Sequence, residues 1–268
     1  SALTSSAKPT AFPNFVRAEI LLHKIGYLAF MKFKTKISKT EGGAHSIRGY
    51  DLKELIEKYT FSDVIFLLLK GNLPNEKEKQ LLEAMLVASV ENGLEAPSLF
   101  VPRIVAASGN DMHVALAAGM LAIGSKHGGA GEQAALLLAS DRSAADIAEQ
   151  EKIIPGFGHK IYKEEDPRAR ALFEKAKRLG FSPPTGGRYF KKAYEIEAKL
   201  AEKKGKKLPL NIDGAIAAVM LELGFDPELG KAFFLIARIV AMASHVKEEM
   251  EQQNSYYRLD ETEVQNEE

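Results

Sequence analysis

Apolar residues recur along most of the chain at three- and four-residue spacings, and strictly alternating stretches are scarce, which predicts a mainly helical protein. In EKEKQLLEAMLVASVEN, starting at Glu76, one face collects Leu81, Leu82, Met85, Leu86 and Ser89 while acids and lysines gather opposite; Pro74 and Asn75 mark its start. A second helix is expected from Asp111 to Gly124. A third runs from Asp166 to Gly180, with Asp166 as cap, Pro167 in the first turn and Gly180 as the stop. The last and longest covers Pro227 to Glu251, with Ala237, Val240, Ala241 and Ser244 on one side. TFSDVIFLLLKG has the composition of a short strand at Val64 to Leu69, but its setting favours a buried helix ending at Gly71. Gly and Pro punctuate the pattern at GNLP (71–74), HGGAG (127–131), PGFGH (155–159) and SPPTGG (182–187). The lysine-rich EAKLAEKKGKK (197–207) reads as a loop between subdomains.

Composition narrows the function classes. The 268 residues are 46% hydrophobic and 27% charged, enough apolar material for one large core or two modest ones. Lys and Arg number 36, as do Asp and Glu, so no overall field draws the chain to nucleic acid or anionic lipid, and neither partner is expected. There is no cysteine, which removes disulfides, thiolate nucleophiles and thiolate metal sites; with scattered histidines, no metal site is expected. No apolar run reaches the roughly 18 residues of a membrane span. Residues 1–30, followed by the hydrophilic MKFKTKISK from Met31, are expected to be an extension to a catalytic unit at 31–250. The segment at 251–268 reads as a solvated acidic tail. Cytoplasmic location is expected, with organellar targeting by the basic N-terminal stretch left open.

Three segments combine a titratable group with glycines that permit close approach. In SKHGGAGEQ, His127 at a Gly-rich helix entrance can donate to a developing oxyanion; the plainer alternative is a turn histidine. In IIPGFGHKIYKEEDPRAR, His159 follows PGFG, and Arg168 in the next helix offers the planar fork that suits a carboxylate; the alternative is a solvated surface loop. In LPLNIDGAIAAVM, Asp213 opens an apolar helix, where an N-cap role would explain an aspartate without any chemistry. Together these residues make an acid–base set, provided the fold brings them together.

The segments SIRGYDLKELIEKYTFSDVIFLLLKGNLPNEKE (46–78), HGGA, GFGHKIYKEEDPRAR (156–170), NIDG (211–214) and FFLIARIVAMASHVKEEM (233–250) occur in one order, and together they resemble the citrate synthase superfamily. The short length, the NIDG form and the phrase GMLAIGSKHGGA are most similar to its compact citryl-CoA lyase branch. The resemblance implies an all-α fold, a large helical domain with a small one (roughly 150–215) inserted and the active site in the cleft, and a homodimer or higher homo-oligomer. It implies cleavage of citryl-CoA to acetyl-CoA and oxaloacetate, with coenzyme A thioester and di- or tricarboxylate as substrates and no permanently bound cofactor. The alternatives are a citrate synthase or related acyl-CoA/2-oxo acid condensing enzyme, and an impaired paralogue that serves as a CoA- or tricarboxylate-binding subunit.

Residue by residue, the resemblance gives His127 the thioester oxygen of acetyl-CoA, His159 the oxaloacetate carbonyl, and Asp213 the proton at the acetyl methyl carbon. Arg168 and Arg238 would hold substrate carboxylates, and Gly156, Gly158 and Lys160 would contribute to CoA binding. For cleavage, His159 is expected to draw the proton from the tertiary hydroxyl. Two departures stand out. Asn92 occupies a place where the family usually has a histidine holding the oxaloacetate end. Gln252 stands where synthases commonly supply an arginine across the dimer, a loss that Arg258 makes good only if the tail folds back. Arg103 is expected in a structural salt bridge, and His245, seven residues after Arg238, is a weaker site candidate.

Overall fold

The computed structural model describes residues 33–150, 153–181 and 187–267. The extension expected at residues 1–30 lies outside them. The chain divides into two compact units, residues 1–58 and 59–268.

The described part of the first unit holds a feature that the helical periodicity does not announce. Strands β1 (Ser38–Glu41), β2 (Ala44–Ile47) and β3 (Tyr50–Asp51) form an antiparallel ribbon in that order, with Ser38 opposite Ile47 and Ser46 opposite Asp51. Both reversals are two-residue turns with positive φ throughout, Gly42–Gly43 and Arg48–Gly49, the geometry that matches strand twist. Helix α1 (Leu52–Lys58) follows and buries Leu55.

The described second unit is helical. Its elements are α2 (Phe61–Lys70), α3 (Glu76–Val90), α4 (Pro97–Ala107), α5 (Met112–Leu121), α6 (Ala130–Ala139), α7 (Ala144–Gln150), α8 (Pro167–Arg178), α9 (Arg188–Lys204), α10 (Ile212–Glu222) and α11 (Gly230–Gln252). Asn75, Asp166 and Gly71 act where the sequence places them, as a capping box on α3, the cap of α8 and the left-handed end of α2, and Thr60, not singled out there, closes a second capping box on α2. Helix α10 is apolar almost all round, with Ile212 and every residue from Gly214 to Leu221 buried, as its central position requires. Helices α3, α6, α8 and α9 surround it, and α11 packs against α3, α4 and α5. Helices α8 and α9, inside the stretch expected as a small domain, share one hydrophobic core with α2, α3, α6 and α10.

Three expectations need correction. The lysine-rich 197–207 segment is helix up to Lys204, because Ala193, Ile196 and Leu200 bury one face of α9 while its lysines lie opposite; Gly205 is its left-handed stop. On α11 the buried face is Phe233, Ala237, Arg238, Ala241, Met242, Val246 and Glu249, and Val240 and Ser244 are exposed. A short 3₁₀ turn at Pro227–Leu229 precedes this helix, which extends to Gln252. The stretch Pro227–Gln252 is long and apolar enough to cross a bilayer, but its inward face is part of this core and carries Arg238 and Glu249.

Beyond α11 the chain is exposed but tethered. Asn254 Nδ2 and Tyr257 Oη donate to the buried Glu249 carboxylate at 2.9 and 3.0 Å. Glu249 also accepts from Arg103 Nε at 2.6 Å, and Arg103 reaches Glu248 and Gln252 as well, so Arg103 is the structural ion pair expected of it.

Candidate active site

A cavity of about 260 Å³ is lined by Asn92, His127, His159, Arg168, Asp213 and Arg238, together with Ala96, Gly128, Asn211, Ile212 and Phe234. Six of the residues singled out in the sequence, from five separate segments, therefore meet around one space. Gly156, Gly158 and Lys160 are not in that lining.

The local folding of the NIDG segment decides how Asp213 is used. Asn211, not Asp213, is the N-cap of α10: its Oδ1 accepts from Asp213 N at 3.0 Å and Gly214 N at 3.2 Å. The capping alternative for Asp213 thus falls, and its carboxyl is left to face the cavity from the helix's first turn. Burial pushes the Asp213 pKa up, aided by the Asp166 charge and opposed by Arg168, Arg238 and His159. A carboxyl so placed is suited to hold a proton and return it.

The PGFGH loop is fixed against this same segment by glycines. A Cβ on Gly156 would stand 2.7 Å from Gly214 Cα, and one on Gly214 would stand 2.5 Å from Gly156 O. Across this contact Asn211 N donates to Gly156 O at 2.9 Å, Gly158 N to Pro209 O at 2.7 Å, and Asn211 Nδ2 to Gly158 O at 2.9 Å. Gly156 and Gly158 therefore spend their backbone groups on holding His159 beside α10, while Lys160 is exposed next to them.

Hydrogen bonds fix which ring atom of each histidine can donate. His159 Nδ1 accepts from two backbone groups, Ile161 N and Tyr162 N, each at 3.1 Å. A neutral ring then carries its proton on Nε2, which lies 3.3 Å from Arg168 Nη2. Two donors cannot bond each other, so both are available to one oxygen placed between them. His127 Nε2 accepts from Ser98 N at 3.2 Å and lies 2.9 Å from Ser98 Oγ, which puts the proton of a neutral ring on Nδ1. Burial, and then the Arg238 charge, hold the His127 pKa below the ordinary imidazole value, favouring that neutral ring. Phe234 meets it edge-on at 5.9 Å.

The two arginines are held differently. Arg168 is gripped by Asp166, through Nε to Oδ1 at 3.0 Å and Nη2 to Oδ2 at 2.8 Å, and braced by Asn92, whose Oδ1 accepts from Nη1 at 2.9 Å. Of its five N–H groups one remains on each terminal nitrogen. Arg238 is 1% exposed, yet among the described residues only Nη2 has a partner, Ser89 O at 3.0 Å; Nε and Nη1 are buried with none there. Its guanidinium lies 4.8 Å from the Phe234 ring. A buried cation with two unmade hydrogen bonds, facing a cavity, is a site prepared for an anion.

Sequence reading missed several neighbours. Tyr162 stacks on His159 at 4.7 Å between ring centres, and Ser98 sets the His127 ring; neither has a local signal. Asp166 was legible as a cap, and the DPR spacing, with Arg two positions on, was the available hint of its grip on Arg168. His245 lies outside the cavity lining, 3.5 Å from Glu91 and 3.9 Å from Glu248. Arg258 is exposed. Among the described residues no group of three or more His, Asp or Glu is placed to hold a metal ion.

The family described as "Citrate synthase, C-terminal domain" matches residues 26–82 and 75–260. Among curated relatives, citrate synthase 2 of Bacillus subtilis is 29% identical over 243 residues, 87% of this chain and 64% of that protein. Citrate synthase of Haloferax volcanii is 30% identical over 76% of this chain and 55% of its own length. The chain thus spans between about half and two thirds of the length of these relatives. Among solved structures, citryl-CoA lyase from Hydrogenobacter thermophilus superposes with a TM-score of 0.83 and 42% identity, covering 89% of this chain and 95% of that one. ATP citrate lyase from Methanothrix soehngenii shares the fold, with a TM-score of 0.78 at 21% identity over 100% of this chain and 46% of its own. With an all-α fold and a family match running through every segment that lines the cavity, the chain belongs to the citrate synthase family.

Proposed function

We propose that the protein cleaves citryl-CoA to acetyl-CoA and oxaloacetate. The observation that carries the reading is the buried, half-unpartnered Arg238 in the same cavity as Asp213 and two histidines with fixed donor atoms. A substrate with several carboxylates matches Arg238 and the two spare N–H groups of Arg168. The likeness to a citryl-CoA lyase across nearly the whole of both chains supports this direction over condensation.

In cleavage, the tertiary hydroxyl oxygen sits between His159 Nε2–H and Arg168 Nη2–H, which stabilise it as an alkoxide once its proton has passed to solvent water, the source from which Asp213 is reprotonated after turnover. Because His159 Nδ1 is occupied by backbone donors, the neutral ring contributes a donated hydrogen bond here; it takes up the hydroxyl proton at Nε2 only after giving up the one it holds. This narrows the base role expected from the sequence. As the alkoxide collapses to the ketone of oxaloacetate, the carbon–carbon bond breaks and its electrons pass to the thioester as an enolate. His127 Nδ1–H bonds the enolate oxygen, and the protonated Asp213 carboxyl delivers its proton to the carbon, giving acetyl-CoA. Condensation is the same path reversed, the reading favoured by the curated relatives named as citrate synthases. For the nucleotide end of CoA the exposed Lys160 is the contributor we assign, with Gly156 and Gly158 shaping its loop. A homo-oligomer is part of the proposal: Phe100 and Ile104 on α4 and Val114, Met120 and Leu121 on α5 are exposed apolar residues.

The test is incubation of the protein with citryl-CoA and mass spectrometry of the products, with Asp213→Asn as control. Acetyl-CoA and oxaloacetate, lost in the variant, are expected. Citrate plus free CoA would replace the lyase by a synthase-type hydrolysis. No product from folded protein would leave a binding subunit, the reading to which Asn92 and Gln252 point.

A further inference from the structure

Asp166 lies at 0% exposure, the deepest acid beside the cavity, yet it is not among the cavity's lining residues. Its two oxygens accept four hydrogen bonds. Oδ1 takes Arg168 N and Arg168 Nε, both at 3.0 Å; Oδ2 takes Arg168 Nη2 at 2.8 Å and the backbone N of Ile212 at 3.1 Å. One carboxylate thus caps α8, grips the side fork of Arg168 and seizes the residue immediately before Asp213. A helix cap needs only one of these bonds. The other three join an arginine and a proton-carrying carboxyl that belong to different helices and, among the described residues, are not hydrogen-bonded to each other.

We infer that Asp166 is a positioning residue that sets the direction of the Arg168 fork and the placement of Asp213 together, so that the carboxylate-binding and proton-transfer parts of the site are aligned by one buried anion. The inference rests on the proposed function for its kinetic consequence but not for its geometry. With Nε and one Nη2 hydrogen committed to Asp166, the guanidinium plane is set, with Nη1 against Asn92 Oδ1 and Nη2 beside His159 Nε2, and the two spare hydrogens are aimed by it. Burial pushes the Asp166 pKa up, but its hydrogen bonds from Arg168 and Ile212 and the Arg168 charge outweigh this and hold it below the ordinary carboxylate range, so the anion persists across the working pH range.

The charged groups around Asp213 are Arg168 and Asp166 from α8 and its cap, Arg238 from α11 and His159 from the PGFGH loop. On α6 a Cβ added at Gly131 would stand 3.9 Å from Asp213 O, and Glu132 is paired with Lys231. From α9, Glu197 is engaged by Leu210 N, and Glu91 after α3 acts on Arg238. Removing the Asp166 charge deletes the one nearby anion that raises the Asp213 pKa and leaves the cations that lower it.

The variants are Asp166→Asn and Asp166→Ser, both of which retain a side-chain cap for α8 but lack the paired acceptor that grips the Arg168 fork. In each, the expected loss in kcat/KM for citryl-CoA is about 100-fold, the scale of a misplaced reacting group. The pH limb governed by Asp213 is expected to move to lower pH. Independently of activity, ¹³C NMR of labelled aspartates, with the Asp213 signal identified by its loss in Asp213→Asn, should show its titration midpoint falling in both variants. Loss of the Asp166 charge lowers that midpoint through space whether or not the fork is held, so kcat/KM decides: a helix cap alone, which both variants keep, would leave it near the wild-type value, and that result overturns the proposal. If wild-type protein fails to turn over citryl-CoA, the functional reading falls, while the Arg168 Nε–H signal in ¹⁵N NMR, which should lose its protection from exchange in both variants, still decides whether Asp166 holds the fork.

Discussion

Replacing Arg238 by methionine should make the unliganded protein more stable and blind to citrate. The side chain is 1% exposed, and its Nε and Nη1 have no partner. Each unmade hydrogen bond of a buried group costs about 1–3 kcal/mol, so the pair costs about 2–6 kcal/mol in the empty site. Methionine removes that cost, fills much of the same volume and keeps contact with Phe234, but it orphans Ser89 O, the acceptor of Nη2, at about 1–3 kcal/mol. The balance is a gain of about 2 kcal/mol, or about 4–8 °C in Tm at this chain length. Thermal unfolding with and without citrate measures both halves. Wild-type protein should rise by the equivalent of about 2.7 kcal/mol at a citrate concentration 100 times its Kd, and the variant should not respond. A variant that is less stable than wild type and still protected by citrate would refute the reasoning, because Arg238 would then be a structural cation rather than a waiting one.

Asp213→Asn should stabilise as well as inactivate. Because the folded-state pKa of Asp213 is raised, its ionised form penalises folding: the stability that goes with its protonated form is complete below the unfolded pKa and is lost as pH rises through the folded one. The amide mimics the protonated acid, so its advantage over wild type should grow from none at acid pH by about 1.4 kcal/mol for each unit of that shift; equal Tm values at pH 8 would contradict the assignment. Arg103→Met should destabilise by about 3 kcal/mol in urea unfolding, since it strips the buried Glu249 of its cation, and adding Glu249→Gln should recover much of the loss. Failure of the second change to rescue would mean that packing, not charge, holds the end of α11.

Much of this architecture was legible because it rests on local chemistry. Asn75, Asp166 and Gly71 are strong helix signals in any context, and the structure uses them as such. The segments carrying His127, His159, Asp213, Arg168 and Arg238 were readable through motif order. That they converge was not, since convergence is set by packing around α10. The errors have the same root. On α11, Val240 lies one turn from the buried Ala237 but points outward, because the inner stripe drifts through Arg238, Ala241 and Met242 with the 3.6-residue period. The lysines of α9 disguised a helix whose buried positions are three and four residues apart. The cap role offered to Asp213 overlooked Asn211, two residues earlier, whose side chain reaches two N–H groups and so leaves Asp213 for the cavity. The β ribbon escaped because its strands are short, although GG and RG were fair turn signals.

The glycine-to-glycine contact between residues 156 and 214 bears on how the site can move. The spacing of the His159 backbone from that of Asp213 is set through carbonyls and amides of two segments that touch without side chains between them, so rotamer changes of neighbouring residues do not alter it. The loop, the start of α10 and the Asp166-bound Arg168 are thus tied to one another by backbone and by one buried carboxylate. The backbones that carry the oxygen-binding and proton-delivering groups therefore keep their spacing whatever occupies the cavity.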